Sequence, residues 1–200
     1  MSIIVEAQNL MKYYGDFQAV KGISFAINSG ECFGFLGHNG AGKSTTMRMI
    51  YGLSTVDKGR LTVFGETITL TPPGIKARMG VVPQEDSLDP DLTVLENLEV
   101  YGGFFGLSSK ESRRRGQEWL DFMGLEDRGN ARVDSLSGGN QRRVVIARAL
   151  INRPEIVVPR LTVLNCRYFC FSEKGYSLTA EILSQFGGKL TVYSRQYLRS

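Results

Sequence analysis

The sequence predicts an α/β fold, and two observations in its first third carry that prediction. Apolar stretches bounded by turn residues indicate strands over residues 3–7, 19–27 and 32–36. A glycine-rich loop follows the third stretch, and residues 43–53 then show helical periodicity. A strand, a loop and a helix in this order are typical of α/β domains.

The elements that follow are predicted in chain order. Thr93 and Glu96 form a capping box ahead of apolar residues at helical spacing, which predicts the start of a helix. Gly124 and Pro154 follow two further helical stretches and are residues that end helices. The remaining predicted elements are strands over residues 61–64, 80–83 and 156–158, and helices over residues 109–123 and 139–151.

The composition is that of a globular chain. Its 200 residues are 42% hydrophobic and 22% charged, which excludes disorder and collagen-like repeats. No apolar stretch reaches the ~18 residues of a membrane span, and the first residues lack the features of a signal peptide. We therefore expect the chain to stay in the cytosol. Three cysteines at no metal-ligand spacing predict buried, reduced thiols, at Cys32, Cys166 and Cys170.

The formal net charge of +4 is confined to the end of the chain. Residues 1–159 hold 18 basic and 18 acidic side chains, whereas residues 160–200 hold 6 and 2. The arginine run at residues 113–115 is flanked by Glu111 and Glu118 on an amphipathic helix, which favours a solvated face. Neither feature indicates a nucleic-acid partner.

Residues 37–44 match the phosphate-loop pattern G-x-x-x-x-G-K-[ST]. The pattern lies between a predicted strand and a predicted helix, which is the context it requires, so a chance glycine-rich turn is the weaker reading. Glycines let successive N–H groups point at phosphate oxygens, and the helix N-terminus adds partial positive charge. Lys43 is expected to reach the β and γ phosphates, and Ser44 to ligate Mg²⁺.

A second motif, Leu-Ser-Gly-Gly-Asn-Gln at residues 136–141, stands just before a predicted helix. Alone, such a turn is usually a helix cap. Together with the upstream phosphate loop, the intervening helical segment and Gln84 at its start, it resembles the nucleotide-binding domain of ATP-binding cassette (ABC) transporters. The resemblance covers residues 3 to about 158, with the motifs in the family's order.

This resemblance implies a P-loop NTPase core sheet with an antiparallel β subdomain and a helical subdomain at about residues 85–137, together forming a domain over residues 1–158. It also implies a head-to-tail homodimer or heterodimer that encloses two ATP molecules. By the same resemblance, Tyr14 stacks on adenine, while Ser44 and Gln84 ligate Mg²⁺. The nucleotide contacts implied are Tyr14, Gly37, His38, Asn39, Gly40, Ala41, Gly42, Lys43, Ser44, Thr45, Gln84, Ser137, Gly138 and Gly139.

Residues 82–98 and 101–106 are similar to the ABC-2 exporter branch of the family, which includes drug-efflux and nodulation-factor exporters. That similarity implies a membrane-spanning permease as partner and a peripheral position at the inner face of the cell membrane. Phe104 and Phe105, or their neighbours, are the implied docking residues. The alternative is that these aromatic side chains fill the core of the helical subdomain.

The family pattern breaks after Val158. Where the family has Leu-Asp-Glu-Pro, this chain has Pro-Arg-Leu-Thr, so Arg160 stands for the metal-organising aspartate and Leu161 for the general base. The switch histidine is also missing, because His38 is the chain's one histidine. No catalytic residue is recognisable, and the resemblance implies ATP binding with impaired hydrolysis.

Residues 159–200 form an unrecognised tail, so the C-terminal part of the core is expected to be missing or replaced. We hypothesise a reading-frame change near Val158, and the rival is a diverged C-terminus. The hypothesis fails if neither shifted frame of the coding DNA encodes Leu-Asp-Glu-Pro and a later histidine. Three functions stay open: an ATPase subunit powering export, a non-hydrolysing ATP-binding and dimerisation module, and a decayed gene product.

Overall fold

The computed structural model describes residues 2–30, 32–68, 73–83, 88–159 and 166–171. The chain divides into two compact units. The described residues up to Met79, together with Cys166–Phe171, belong to the first unit, and those from Gly80 to Pro159 belong to the second.

The first unit contains a four-stranded antiparallel sheet made of β1 (Ile3–Tyr14), β2 (Phe17–Asn28), β4 (Lys58–Val63) and β5 (Glu66–Thr67). The sheet has the strand order β2-β1-β4-β5. Its first two strands are longer than the sequence predicts, because register shifts let the β1–β2 ladder continue past interruptions of the apolar alternation. The alternation alone therefore stops too early.

The first unit also carries the strand, loop and helix that the sequence predicts. Strand β3 covers Cys32–Leu36, and helix α1 covers Lys43–Ile50. Helix α1 ends before the predicted residue 53, because Gly52 adopts a left-handed backbone (φ 70°) and its N–H donates to the Met49 carbonyl. A short helix, α2 (Pro73–Ala77), follows later in the unit.

A strand that the sequence analysis does not predict lies beside β3. Strand β8 (Cys166–Phe171) pairs antiparallel with β3, and Cys32 stands opposite Cys170 in the register. Aromatic residues favour strands, and this segment is rich in them. The side chains of all three cysteines fall outside the described part of the structure, so the thiol prediction stays a prediction.

Among its described residues, the second unit contains two neighbouring strands, β6 (Met79–Val82) and β7 (Ile156–Pro159), and the helices α3 (Val94–Gly103), α4 (Ser109–Phe122) and α5 (Gly138–Leu150). Val82 of β6 packs with Val145 and Ala149 in a buried apolar cluster. The capping box is confirmed: the Thr93 hydroxyl accepts from the Glu96 N–H at 3.3 Å, and the Thr93 N–H donates to the Glu96 carboxylate at 2.8 Å.

Two of the three arginines at residues 113–115 lie on an exposed face of α4, as the sequence predicts. The third, Arg115, has a side chain that is 17% exposed and donates to the Ile151 carbonyl at 3.2 Å. The side chains of Arg113 and Arg114 are 54% and 50% exposed. Arg113 pairs with Glu99, and Arg114 pairs with Glu111 and Glu118. These arginines therefore have acidic partners within their own unit.

Within the described residues, the helices are all too short or too polar to cross a bilayer. The antiparallel sheet, the strand–loop–helix segment and the helical segment confirm the predicted fold class. The division into residues 1–158 and 159–200 stays a prediction.

Candidate nucleotide-binding site

The loop between β3 and α1 turns on glycines at positions that exclude a side chain. Gly42 caps α1 in a left-handed conformation (φ 81°), which L residues with a Cβ rarely adopt. A Cβ placed on Gly42 would also lie 2.4 Å from the carbonyl oxygen of Ala19. The loop therefore packs against β2 more closely than any other residue type at position 42 would allow.

Lys43 is the central charge of this loop. Its ammonium nitrogen lies 2.5 Å from the Gly37 carbonyl oxygen and 2.8 Å from the His38 carbonyl oxygen, and the residue is 8% exposed. The first turn of α1 contains no acidic residue. The lysine charge and the partial positive charge of the helix N-terminus consequently add, which favours an anionic ligand.

A cleft of about 230 Å³ lies against this loop. Most of the predicted phosphate-loop residues line it, together with the predicted Tyr14. Gly37 and His38 belong to the loop but are absent from the lining of the cleft. The lining consists of Tyr14, Phe17, Ala19, Asn39, Gly40, Ala41, Gly42, Lys43, Ser44 and Thr45.

Phe17 and Ala19 are cleft residues that the sequence analysis misses. Phe17 is 63% exposed and is the register partner of Tyr14 across the β1–β2 turn. Tyr14 is 49% exposed. Large apolar side chains usually turn inward, so two exposed aromatic residues at one hairpin end indicate a ligand-facing surface, but their exposure is visible only in the folded chain. They give the cleft an aromatic wall.

His38 does not line the cleft. It is exposed, and its ring Nδ1 lies 2.7 Å from the Asn39 carbonyl oxygen. That contact requires the protonated Nδ1 as donor, so the ring stabilises the turn of the loop.

Ser137, Gly138 and Gly139 stand at the start of α5 in the second unit. Ser137 is the N-cap, and its hydroxyl accepts from the Asn140 N–H at 3.4 Å. All three residues are exposed, and a Cβ on either glycine would meet no atom within 4 Å. The side-chain amide of Gln141 stabilises the turn by donating to the carbonyl oxygens of Val133 at 2.9 Å and Leu136 at 3.3 Å. The motif thus presents an exposed helix N-terminus that carries partial positive charge.

Three residues that the sequence analysis singles out, Gln84, Arg160 and Leu161, lie outside the described residues. Pro83, which directly precedes Gln84, is among the described residues. The Pro83 carbonyl accepts from the Arg142 guanidinium of α5 at 2.6 Å. The end of β6 is therefore anchored to the helix that begins at the second motif.

A metal at this site would rely on few protein ligands. The described residues contain no cluster of three or more histidine, cysteine or acidic side chains able to hold a metal ion. Ser44 is exposed, lines the cleft and follows Lys43 directly, so its hydroxyl oxygen is available as a ligand. A site of this kind fits Mg²⁺, which is commonly held by one or two side chains and by substrate phosphates.

The aromatic residues at the end of α3 divide between two environments. Phe104 is 78% exposed, whereas Phe105 is half-buried with its ring 5.5 Å from that of Tyr101. The guanidinium carbon of Arg148 lies 4.9 Å from the centre of the Tyr101 ring. Phe104 therefore lies outside the core of the helical segment, and Phe105 contributes to its packing.

A family model described as ABC transporter matches residues 20–158, which is more than half of the chain. The chain belongs to the ABC transporter family.

Individual relatives agree with the family match. The chain is 47% identical over 158 residues to "Nod factor export ATP-binding protein I" of Cupriavidus metallidurans, a match that covers 79% of this chain and 52% of the relative. The chain thus spans about half the length of the curated relatives it matches.

Solved structures show the same fold. One is cbiO1 from Clostridium perfringens, part of the ABC transporter complex cbiONQ, with a TM-score of 0.73 and 25% identity over 93% of this chain and 74% of that one. Another is a bacterial ABC transporter cassette solved as a dimer, with a TM-score of 0.64 and 32% identity over 78% of this chain and 73% of that one.

Proposed function

We propose that this chain binds ATP with Mg²⁺ as the nucleotide-binding subunit of an ABC-2-type exporter. The single observation that carries the proposal is the cleft, which combines a buried lysine in a glycine loop with an aromatic wall. A polyphosphate needs the first feature and a purine base needs the second. Nod factor export relatives support export as the process that ATP would drive.

Each part of the cleft has a distinct task in this proposal. Lys43 and the N-terminus of α1 bind the polyphosphate, and Gly40 and Gly42 let the backbone approach it. Tyr14 stacks on the adenine, with Phe17 beside it. Ser44 and Gln84 would hold Mg²⁺, which supplies positive charge to the phosphates when bound. Residues 1–158 are proposed to form this domain, with residues 159–200 outside it; the family match that ends at residue 158 supports that division.

We further propose that two such domains pair head to tail, as a homodimer or heterodimer. Ser137, Gly138 and Gly139 of one copy would close over ATP bound to the phosphate loop of the other. Their exposure, and the open space in front of both glycines, support a role in binding a ligand from outside the unit.

A membrane-spanning permease is the proposed partner at the inner face of the cell membrane. Phe104 supports this role, because a side chain that is 78% exposed gains from burial in a complex. Replacing it by serine is expected to leave ATP binding unchanged and to lower co-purification with an ABC-2 permease. Phe122→Ser, at an exposed aromatic position on α4, is the matched control. Equal retention of both variants would contradict docking through Phe104.

Hydrolysis is proposed to be impaired. Arg160 and Leu161 take the places of the aspartate and glutamate, and a positioned general base is typically worth about 10² to 10⁴ in rate. The second candidate function, a non-hydrolysing ATP-binding and dimerisation module, rests on the same two residues, Arg160 and Leu161.

Calorimetric titration of the purified chain with ATP and Mg²⁺ tests the proposal. A phosphate-release assay on the same sample distinguishes its two forms, the export subunit that hydrolyses ATP and the non-hydrolysing module. We expect saturable ATP binding with little phosphate release. Vanadate-sensitive turnover at the rate of ordinary ABC ATPases would show that hydrolysis is intact. A folded sample that fails to bind ATP would refute both forms.

A further inference from the structure

We propose that Lys12 and Asp57 form a positioning pair that holds a positive charge against the ring of Tyr14 and thereby strengthens stacking of the nucleotide base. The inference rests on the proposed function, because it concerns the base end of the same cleft. Lys12 acts here through Tyr14 and is not itself a contact of the ligand.

The geometry begins with the alternation of β1. Lys12 and Tyr14 are two residues apart, so their side chains project from the same face of the strand. The Lys12 ammonium nitrogen lies 5.6 Å from the centre of the Tyr14 ring, within the range of a cation–π contact. Tyr14 lines the cleft, and Lys12 is absent from its lining. The Lys12 charge therefore influences the cleft through the ring of Tyr14.

The lysine is held in place by a second element. Its ammonium nitrogen lies 2.8 Å from the Asp57 carboxylate and 3.0 Å from the Thr55 hydroxyl, and its side chain is 9% exposed. The other oxygen of Asp57 accepts from the backbone N–H of Tyr13 at 2.7 Å. Asp57 thus fixes both the cation and the strand backbone between Lys12 and Tyr14.

The ionised form of Asp57 is favoured by the same contacts. The hydrogen bond from Lys12 is the largest cause that holds the pKa of Asp57 below its ordinary value, and the backbone hydrogen bond from Tyr13 adds to it. At neutral pH the carboxylate therefore stays charged and keeps the ammonium group near the ring.

A cation on one face of an aromatic ring changes what the ring can stack on. The faces of a tyrosine ring carry negative charge density, which opposes face-to-face stacking on another π system. An ammonium group draws that density toward itself, so stacking on the other face becomes more favourable. Tyr14 is 49% exposed, which leaves ring surface available for a base.

The neighbouring tyrosine provides an internal comparison. Lys58 lies 5.7 Å from the ring of Tyr13, almost the same distance as in the Lys12 contact. Tyr13 is absent from the lining of the cleft. Removing the Lys58 charge is therefore expected to leave nucleotide binding unchanged, which makes Lys58→Met the matched control for Lys12→Met.

The test compares the affinities of the full chain for ATP and for inorganic tripolyphosphate, which has no base. Lys12→Met should weaken ATP binding about two- to fivefold, the size expected of a partly exposed cation–π contact, and leave tripolyphosphate binding unchanged. Lys12→Arg should retain ATP affinity. An equal loss for both ligands, or no loss, would overturn the inference.

A double-mutant cycle distinguishes positioning from a merely structural role. In a Tyr14→Leu background, Lys12→Met is expected to have no further effect on ATP affinity, whereas additive losses would overturn the inference. If Lys12→Met does not fold, Asp57→Asn serves instead, because it removes the charge that holds Lys12. A wild-type chain that binds neither ligand would refute the proposed function, whereas normal ATP binding by a folded Lys12→Met variant would refute this inference alone.

Discussion

The ammonium group of Lys43 is held by the carbonyl oxygen of Gly37, at 2.5 Å, across the turn of the phosphate loop. A second contact, to the His38 carbonyl oxygen at 2.8 Å, joins the same two ends of the loop. The first residue of α1 thereby fixes the start of the loop that precedes it. The loop backbone therefore positions the Lys43 ammonium group, and the ammonium group in turn stabilises the conformation of the loop.

Replacing Lys43 by alanine should weaken ATP binding by about 10- to 100-fold, since hydrogen bonds to charged groups contribute about 1.5–3 kcal/mol. Calorimetric titration measures the change. Lys21→Ala, at an exposed lysine of the same unit, is the control and should bind as the wild type does. Equal affinities for Lys43→Ala and Lys21→Ala would contradict the proposed role of the loop.

Two glycines of the loop should differ in their tolerance of a methyl group. Gly40→Ala and Gly42→Ala both place a Cβ on left-handed backbone, at φ 89° and 81°, which costs about 1–2 kcal/mol. At Gly42 the Cβ would also meet the Ala19 carbonyl at 2.4 Å, whereas at Gly40 it would meet nothing within 4 Å. We expect Gly42→Ala to lower the free energy of unfolding by about a further 1–3 kcal/mol. Denaturant unfolding without nucleotide measures both variants, and equal losses would contradict the close packing of the loop on β2.

The stability that Glu111 contributes should depend on pH. The hydrogen bond from Arg114, followed by that from Arg115, lowers the pKa of Glu111 from 4.5 to about 2. A lowered pKa means that the contribution is complete above pH 4.5 and is lost as the pH falls toward 2. Glu111→Gln should therefore be less stable than the wild type at pH 7, with the gap narrowing between pH 4.5 and 2.

Denaturant midpoints of both proteins across that interval measure the gap. Glu126→Gln, at an exposed glutamate of the same unit, is the control. A gap for Glu111→Gln that stays constant down to pH 2 would argue against the ion pairs.

The contact between α3 and α4 should respond in opposite directions to two small changes. The Ser112 side chain is fully buried, and its hydroxyl has no hydrogen-bond partner among the described residues. Ser112→Ala is expected to raise the free energy of unfolding by up to about 1 kcal/mol, because it removes a desolvated hydroxyl. Gly102→Ala should lower it by about 1–3 kcal/mol, because its Cβ would lie 2.8 Å from that of Ser112. Thermal unfolding checks both, and a marked loss in Ser112→Ala would show that the hydroxyl has a partner.

Local pattern predicted the elements whose causes are local. The helix start at Thr93 follows from two side chains, those of Thr93 and Glu96, each of which caps the backbone N–H of the other residue, three positions away. The phosphate loop follows from residues contiguous in the chain. Boundaries were less predictable. The early end of α1 depends on the left-handed backbone of Gly52, and the length of β1 depends on register shifts against β2.

The aromatic wall of the cleft required the folded chain. Tyr14 entered the site by family resemblance, but Phe17 and Ala19 belong to it because the β1–β2 hairpin packs on the loop. Strand β8 likewise becomes a neighbour of β3 from more than a hundred positions away. Neither placement has a signature in nearby residues.

The sequence by itself determined the family and the two glycine motifs, because these depend only on which residues follow one another. The tertiary structure decided what surrounds those motifs. The contact of Lys12 with Asp57 joins residues 45 positions apart, and the contact of Gly42 with Ala19 joins a loop to a strand. Such contacts arise from strand pairing and packing, which bring distant residues together in ways that local spacing does not encode.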